Sequence, residues 1–273
     1  MPGGTFPLAV DQAIQCEIIF VLASNGFVAN LRIDSPGQRS MPVIQSFALV
    51  AEKGCSVQTN RRETIMAVIR PLRPDDLPAL YAICLETGFK GGDASHLYAD
   101  PHLIGHIYAA PYAVLDPQMA LVFEDSLGVA GYVVGAIDTV HWENRLEDQW
   151  WPALRQRYAD PPKKSPESWS PDERRVSMIH HPARTPAWVV SPYPAHMHMN
   201  LLPRAQGEGV GTRLFQQWIK LAADQGAEKI HVGVNSANDR GFRFWAKRGF
   251  SVLVSEYESD GRTTWMGLGR ASV

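Results

Sequence analysis

Leu201-Leu-Pro-Arg-Ala-Gln-Gly-Glu-Gly-Val-Gly-Thr-Arg-Leu214 is the stretch whose reading decides the fold. On its N-terminal side lies an apolar run, Ala195-His-Met-His-Met-Asn-Leu-Leu202, which reads as a strand. On its C-terminal side Val210, Leu214, Phe215, Trp218, Leu221 and Ala222 recur at helical spacing, predicting a helix over Gly209 to Ala223 that stops at Gly226. Between the two, Gly207, Gly209 and Gly211 occupy every second position, so main-chain amides there can approach a ligand without a Cβ in the way. At a helix N-terminus the free amides and the helix dipole together favour an anion. The dipole contributes about 0.3–1 kcal/mol, up to ~2 when partly buried. Charge-assisted amide bonds would therefore supply most of the hold on a pyrophosphate. The spacing is not that of a Walker loop, which needs Gly-Lys-Ser/Thr, nor of a dinucleotide fingerprint, in which Thr212 would have to be glycine. It is Gln-x-x-Gly-x-Gly through Gln206, Gly209 and Gly211, a pattern that alone also suits an ordinary glycine-rich turn.

Working outward, Ile230 to Val234 reads as the next strand, and Asn238 can cap a helix whose last turn carries Lys247 and Arg248 before Gly249. Phe250 to Tyr257 and Thr263 to Leu268 predict a closing hairpin through Asp260-Gly261. Upstream, Ala67 to Leu72 reads as a strand, followed by a helix opened by Arg73-Pro74-Asp75-Asp76. Met119 to Glu124 and Val129 to Ala136 form a strand pair around the turn Asp125 to Gly128. Thr139 to Tyr158 is helical and carries Trp142, Trp150 and Trp151. Pro152 to Pro194 holds nine of the 20 prolines and the charged segment Lys163 to Arg175, which predicts a long loop, functional or disordered. The fold class is therefore α/β, a mixed and mostly antiparallel sheet flanked by helices, with one β-α-β crossover and a long Trp/Pro-rich insert over 139–194. Residues 1–65 show no periodicity. They read as an extension preceding a natural start at Met66, with 66–273 as the domain.

Composition narrows the function. With 26 Lys+Arg against 28 Asp+Glu in 273 residues, there is no electrostatic footprint for nucleic acid or an acidic membrane. The three cysteines, Cys16, Cys55 and Cys84, are too few and too scattered for a disulfide framework or a thiolate zinc site. The longest apolar run, Ile18 to Ala23, is too short to span a bilayer and lacks a basic flank. A cytoplasmic location is expected.

Leu201 to Leu214 resembles motif A of the GCN5-related N-acetyltransferases, and Asn238-Asp-Arg-Gly-Phe-Arg-Phe-Trp-Ala-Lys-Arg-Gly-Phe250 is similar to their motif B. The resemblance covers 67–270. Within the superfamily, the Ala195 to Arg204 strand, the Trp-rich helix and His180-His181-Pro182 look closest to the acetyltransferase-like domain of O-GlcNAcases and its bacterial relatives. The resemblance implies acetyl-coenzyme A as cosubstrate. The strand ending at Leu201 and Leu202 would splay from the Ile230 strand, and pantetheine would pair with main chain near Met199 and Leu201. Amides of Gln206, Gly207, Gly209, Val210, Gly211 and Thr212 would hold the pyrophosphate, and Asn238 would reach the pantetheine arm. An N–H near Met199 or Leu201 would polarise the thioester carbonyl.

Transfer to an amine needs a neutral nucleophile. His196 and His198 stand two apart on the strand, on one face, and an ordinary histidine pKa near 6.5 suits a general base. The segment Ala-His-Met-His resembles that of serotonin N-acetyltransferase, in which a His-x-His relays the proton. The plainer reading makes both packed strand residues. A metal held by them with His180 or His181 is disfavoured, because no carboxylate or third ligand has recognisable spacing. Trp245 stands where the family commonly places a tyrosine to protonate the departing thiolate, which indole cannot do. Tyr193 and Tyr257 are substitutes that nothing in the sequence positions. Asp138 and Asn200 are candidate substrate contacts, with solvation or local capping an equal reading. Trp142, Trp150, Trp151 and Trp188 read as core or lid packing rather than an aromatic substrate cage, and Lys163-Lys164 and Arg174-Arg175 as a solvated loop surface. The expectation is an N-acetyltransferase using direct transfer to an amine of unknown identity, without a metal, with the insert covering the amine side. The other reading is a pseudo-acetyltransferase that binds acyl-coenzyme A as a sensor or interaction module. Oligomeric state is open, with a homodimer among the options.

Overall fold

The computed structural model describes residues 67–162, 168–254 and 262–269. The expectations for 1–65, for a start at Met66, for Lys163-Lys164, for Tyr257 and for the Asp260-Gly261 turn lie outside these residues. β1 (Val68–Pro71) runs through a 3-10 turn at Pro74–Asp76 into α1 (Leu77–Glu86). Asp76 sits in that first helical turn, as expected, and accepts from both terminal nitrogens of Arg70 at 2.7 and 2.8 Å and from the Arg73 N–H at 2.7 Å. Arg70 Nε also donates to Glu124 at 2.7 Å, which ties the first turn to the neighbouring strand. α2 (Leu103–Tyr108) and α3 (Ala110–Leu115) follow. β2 (Ala120–Asp125) and β3 (Gly128–Ala136) then form the expected antiparallel pair, with a bulge between Phe123 and Glu124.

The Trp-rich helix is three pieces: α4 (Thr139–Arg145), a π-helical segment at Leu146–Trp150, and α5 (Trp151–Arg157). The long loop expected between Pro152 and Pro194 is largely helical in the described residues, with α6 (Pro171–His180) and α7 (Ala187–Val190) inside it. The physical reason is a capping box. Ser170 accepts from the Glu173 N–H while Glu173 accepts from the Ser170 N–H, and Pro171 fits the first helical position, where no N–H is needed.

β4 (Ala195–Leu201), α8 (Val210–Asp224) and β5 (Ile230–Asn235) make the expected crossover, β4 and β5 being parallel. α9 (Asp239–Ala246), β6 (Ser251–Val252) and β7 (Thr263–Leu268) close the fold. The sheet order is β1-β2-β3-β4-β5-β7-β6, antiparallel everywhere except β4 with β5. The mixed, mostly antiparallel α/β fold is as expected. α8 covers one face, where Trp218 is fully buried and its Nε1 donates to the Met119 carbonyl at 3.0 Å. α1, α2, α3, α4 and α5 cover the other, over Tyr132, Val134 and Leu80. Gly135 allows the first of these contacts, since a Cβ there would stand 2.4 Å from the Trp218 ring and 2.2 Å from the His196 carbonyl.

Candidate active site

The parallel ladder of β4 and β5 contains two pairs, Ala195 with Ile230 and His196 with His231. β4 nevertheless stays registered with β3 out to Leu201, and β5 stays registered with β7 out to Asn235. The strands therefore diverge, and a cleft of about 260 Å³ opens between them. Leu202 N–H donates to the Ala130 carbonyl at 2.8 Å, which fixes the hydrogen-bonding parity of the antiparallel pair. By alternation, His198 and Asn200 spend their main-chain groups on β3, while those of Met199 and Leu201 turn to the gap. The Leu201 carbonyl accepts from Gln206 Nε2 at 2.6 Å, and Gln206 Oε1 in turn accepts from Arg240.

The glycine loop reaches α8 through left-handed backbone at Gly207 (φ 89°) and at its N-cap Gly209 (φ 75°), conformations that glycine alone adopts without strain. No main-chain N–H from Gly207 to Thr212 has a hydrogen-bond partner among the described residues. Gly211 packs rather than bends: a Cβ there would lie 2.9 Å from the Phe244 ring. Arg248 stacks its guanidinium 3.3 Å from the centre of that ring, donates to the Phe244 carbonyl at 2.7 Å and reaches Thr212 Oγ1. A cation is thereby fixed beside the first turn of α8. These features suit a diphosphate.

On the other side of β4 the two histidines differ. Thr139 Oγ1 donates to the Pro194 carbonyl at 2.6 Å and so accepts from His196 Nδ1–H at 2.8 Å. His196 Nε2 is left to accept from the Tyr112 hydroxyl at 2.7 Å. Both ring nitrogens are spent, and Tyr112 is itself stacked on Trp142 with centroids 4.4 Å apart. His198 has no hydrogen-bond partner among the described residues. It lies edge-on to Tyr108, Tyr112 and His196, at 6.3, 5.7 and 5.8 Å between centroids, and lines the cleft. Burial, with the neighbouring His231, pushes its pKa down to about 4. Burial likewise holds His196 well below the ordinary value and His106 at about 4.

These depressed values carry a stability consequence. The unfolded chain takes up protons on these rings from about pH 6.5 downward, whereas the folded chain does not until about pH 4. Protons therefore favour unfolding across that window, and stability is full above it. A melting temperature followed from pH 7.5 to 4.5 is expected to fall steadily below about pH 6.5; a constant melting temperature would contradict the burial of these imidazoles as neutral groups.

Met199, Leu201, Gln206, Asn238, Asn200 and His198 line the cleft together. Asn238 caps α9, its Oδ1 accepting from Gly241 N–H at 2.9 Å. Asn200 Nδ2 donates to Thr87 Oγ1 at 2.6 Å. Gly207 and Gly209 stand exposed at the loop, Val210 and Gly211 are buried, and Thr212 is half-buried beside Arg248. Leu202 is buried in the core and does not line the cleft. His196 is also outside it. Asp138 is not brought to the cleft either: its carboxylate caps α4, accepting from His141 N–H at 2.9 Å. Tyr193 packs against Gly267, away from the cleft, while Trp245 lines it. His180 contacts the Tyr158 carbonyl and His181 contacts Asp160. Trp142 and Trp151 are buried, and Trp150 Nε1 donates to the His106 carbonyl at 2.9 Å. The sequence reading missed Thr87, Gly91 and Arg240, which also line the cleft. The Gly91-Gly92 pair, which marks a turn after α1, was a usable signal for the first two.

Residues 144–250 match the model of the acetyltransferase (GNAT) family. The crystal structure of a protein called SsHAT is 34% identical, with a TM-score of 0.68, over 75% of this chain and 98% of that one. Protein O-GlcNAcase of Rattus norvegicus is 22% identical over 190 residues, 69% of this chain and 20% of that protein. The chain thus matches about a fifth of that relative's length. An uncharacterized N-acetyltransferase of Mycobacterium bovis is 42% identical over 52 residues, 19% of this chain and 33% of that protein. Among the described residues, no helix is long and apolar enough to cross a membrane. With diverging parallel strands, unpartnered amides at the head of the crossover helix and a relative matched almost end to end, the chain belongs to the GNAT acetyltransferase family.

Proposed function

We propose that the chain is an acetyl-coenzyme A-dependent N-acetyltransferase acting by direct transfer, with residues 66–273 as the transferase unit. The observation that carries this reading is the run of unpartnered N–H groups from Gly207 to Thr212, at a helix start that adjoins a cleft lined by His198. Bound acetyl-coenzyme A would supply an activated acyl carbon. The Gly207–Thr212 amides, with Arg240 and Arg248 nearby, would bind its diphosphate. The main-chain groups of Met199 with the N–H of Leu201, the Leu201 carbonyl being taken by Gln206, would align the pantetheine arm. An N–H on that edge would donate to the thioester oxygen as negative charge grows there. Asn238 would meet the arm from the α9 side.

His198 is the proton acceptor in this scheme. With a pKa of about 4 it is unprotonated at neutral pH, but it is too weak a base to strip an alkylammonium in advance. It would instead take the proton that nitrogen loses as the C–N bond forms and the C–S bond breaks, the C–S electron pair leaving with coenzyme A as its thiolate. An acceptor that arrives as a neutral amine is favoured. His196, whose nitrogens are both hydrogen-bonded, would position His198 through their ring contact rather than exchange protons.

Trp245 supports a second reading, a binding-only sensor, because an indole lines the cleft where a tyrosine acid is usual in the family. A thiol-release assay with acetyl-coenzyme A and a broad amine panel, run beside calorimetry, separates the two. Transfer to at least one amine is the expected result. Tight binding without turnover on any amine would favour the sensor, and no binding would end both readings.

A further inference from the structure

α6 carries a guanidinium, that of Arg175, which no carboxylate among the described residues answers and which one tyrosine ring separates from His198. Arg175 Nε donates to the Tyr98 hydroxyl at 3.0 Å, and Nη1 reaches the Tyr108 hydroxyl at 3.4 Å and Met178 Sδ at 3.2 Å. Its Cζ stands 5.9 Å from the centre of the Tyr98 ring and 5.6 Å from that of Tyr108. No acidic residue among the described residues pairs with it, and Nη2 makes no hydrogen bond yet is not sealed from solvent. A half-buried cation held only by phenols and a thioether leaves much of its hydration uncompensated. Tyr108 is also the ring that lies edge-on to His198. One tyrosine therefore separates the unpaired cation from the proposed proton acceptor, which lines the cleft.

We propose that Arg175 is an acceptor-specificity residue and that the acceptor is an amine bearing a carboxylate several bonds from its nitrogen. The inference rests on the transferase reading and names its substrate class. With the amine against His198, the carboxylate would reach past Tyr108 and take the free edge of the guanidinium, whose planar fork fits it. An α-amino acid is too short to span a tyrosine ring; an ω-amino acid, an aminobenzoate or a peptide side is long enough. The surrounding phenols hold the guanidinium in place, so little ordering is needed when the anion arrives.

The test compares probes that differ only in charge: 6-aminohexanoate with 6-aminohexanamide, and 4-aminobenzoate with 4-aminobenzamide. In the wild-type protein the carboxylate of at least one pair is expected to be favoured about 10- to 100-fold in kcat/KM, the size of one charged hydrogen bond. Arg175→Gln should bring that ratio near one, and Arg175→Lys should retain part of it, with acetyl-coenzyme A affinity as the check on folding in both. A wild-type ratio near one in both pairs overturns the proposal, and so does a preference that survives Arg175→Gln. Should acetyl-coenzyme A bind while no probe is acetylated, the protein loaded with coenzyme A is titrated with 6-acetamidohexanoate and its amide; equal affinities then overturn the proposal. Failure to bind acetyl-coenzyme A at all refutes the transferase reading instead, and this inference with it.

Discussion

His198→Ala is expected to lower the rate of acetyl transfer by about 10²–10⁴ while leaving the affinity for acetyl-coenzyme A unchanged. The imidazole lines the cleft and has no hydrogen-bond partner among the described residues, so its removal leaves no buried donor or acceptor stranded there. His196→Ala is the contrasting variant. It takes away the acceptor of the buried Tyr112 hydroxyl, while Thr139 Oγ1 keeps its bond to the Pro194 carbonyl, and its loss should register first as a lower melting temperature. The wild-type pH profile has a defined sign. His198 acts unprotonated, so with an acceptor that stays neutral, such as an aromatic amine, the rate should hold from pH 7 downward and fall only near about pH 4. An acid limb already near about pH 6.5 that disappears in His198→Ala would show that the ring titrates as an exposed histidine does, contrary to its burial.

Gly209→Val is expected to weaken acetyl-coenzyme A binding by about 100-fold or more, the cost of misaligning one or two charge-assisted amide bonds. The N-cap of α8 has φ 75°, a region that costs a branched side chain about 1–3 kcal/mol. There is open space where the new Cβ would sit, so the change acts through the backbone rather than through a clash. The chain would relieve the strain by turning the loop and swinging the amides of Val210 and Gly211 off their common direction. Titration calorimetry reads the change directly. Unchanged affinity in a folded Gly209→Val would mean that these amides do not hold the diphosphate.

The two ends of the site differed in how much of them could be read from sequence. The glycine loop was legible because its chemistry is local: three glycines at a strand-helix junction dictate backbone geometry wherever they fold. The strands beside it were legible for the same reason, as was Asn238, whose capping role needs only the residues that follow it. The acceptor side was not, because it is tertiary. His196 and His198 look equivalent two residues apart on a strand. Thr139 and Tyr112, 57 and 84 residues away, make the first a hydrogen-bonded strut and leave the second facing the cleft. Asp138 has the composition of a substrate contact and the position of a helix cap. α6 was hidden by a count of prolines, when Pro171 sits at the one helical position that welcomes it and Ser170 with Glu173 closes the capping box. Arg175 read as one charge in a solvated segment; only the fold shows that its neighbours are two phenols and a thioether.

The most direct measurement is a calorimetric titration of the protein with acetyl-coenzyme A in parallel with S-acetylpantetheine, which carries the same thioester and no diphosphate. Stoichiometric binding of the first, with the truncated thioester at least about 100-fold weaker, is the predicted result, as the loss of two charged hydrogen bonds requires. Equal affinity for the two, or no affinity for either, would contradict the assignment of the α8 N-terminus as the diphosphate grip.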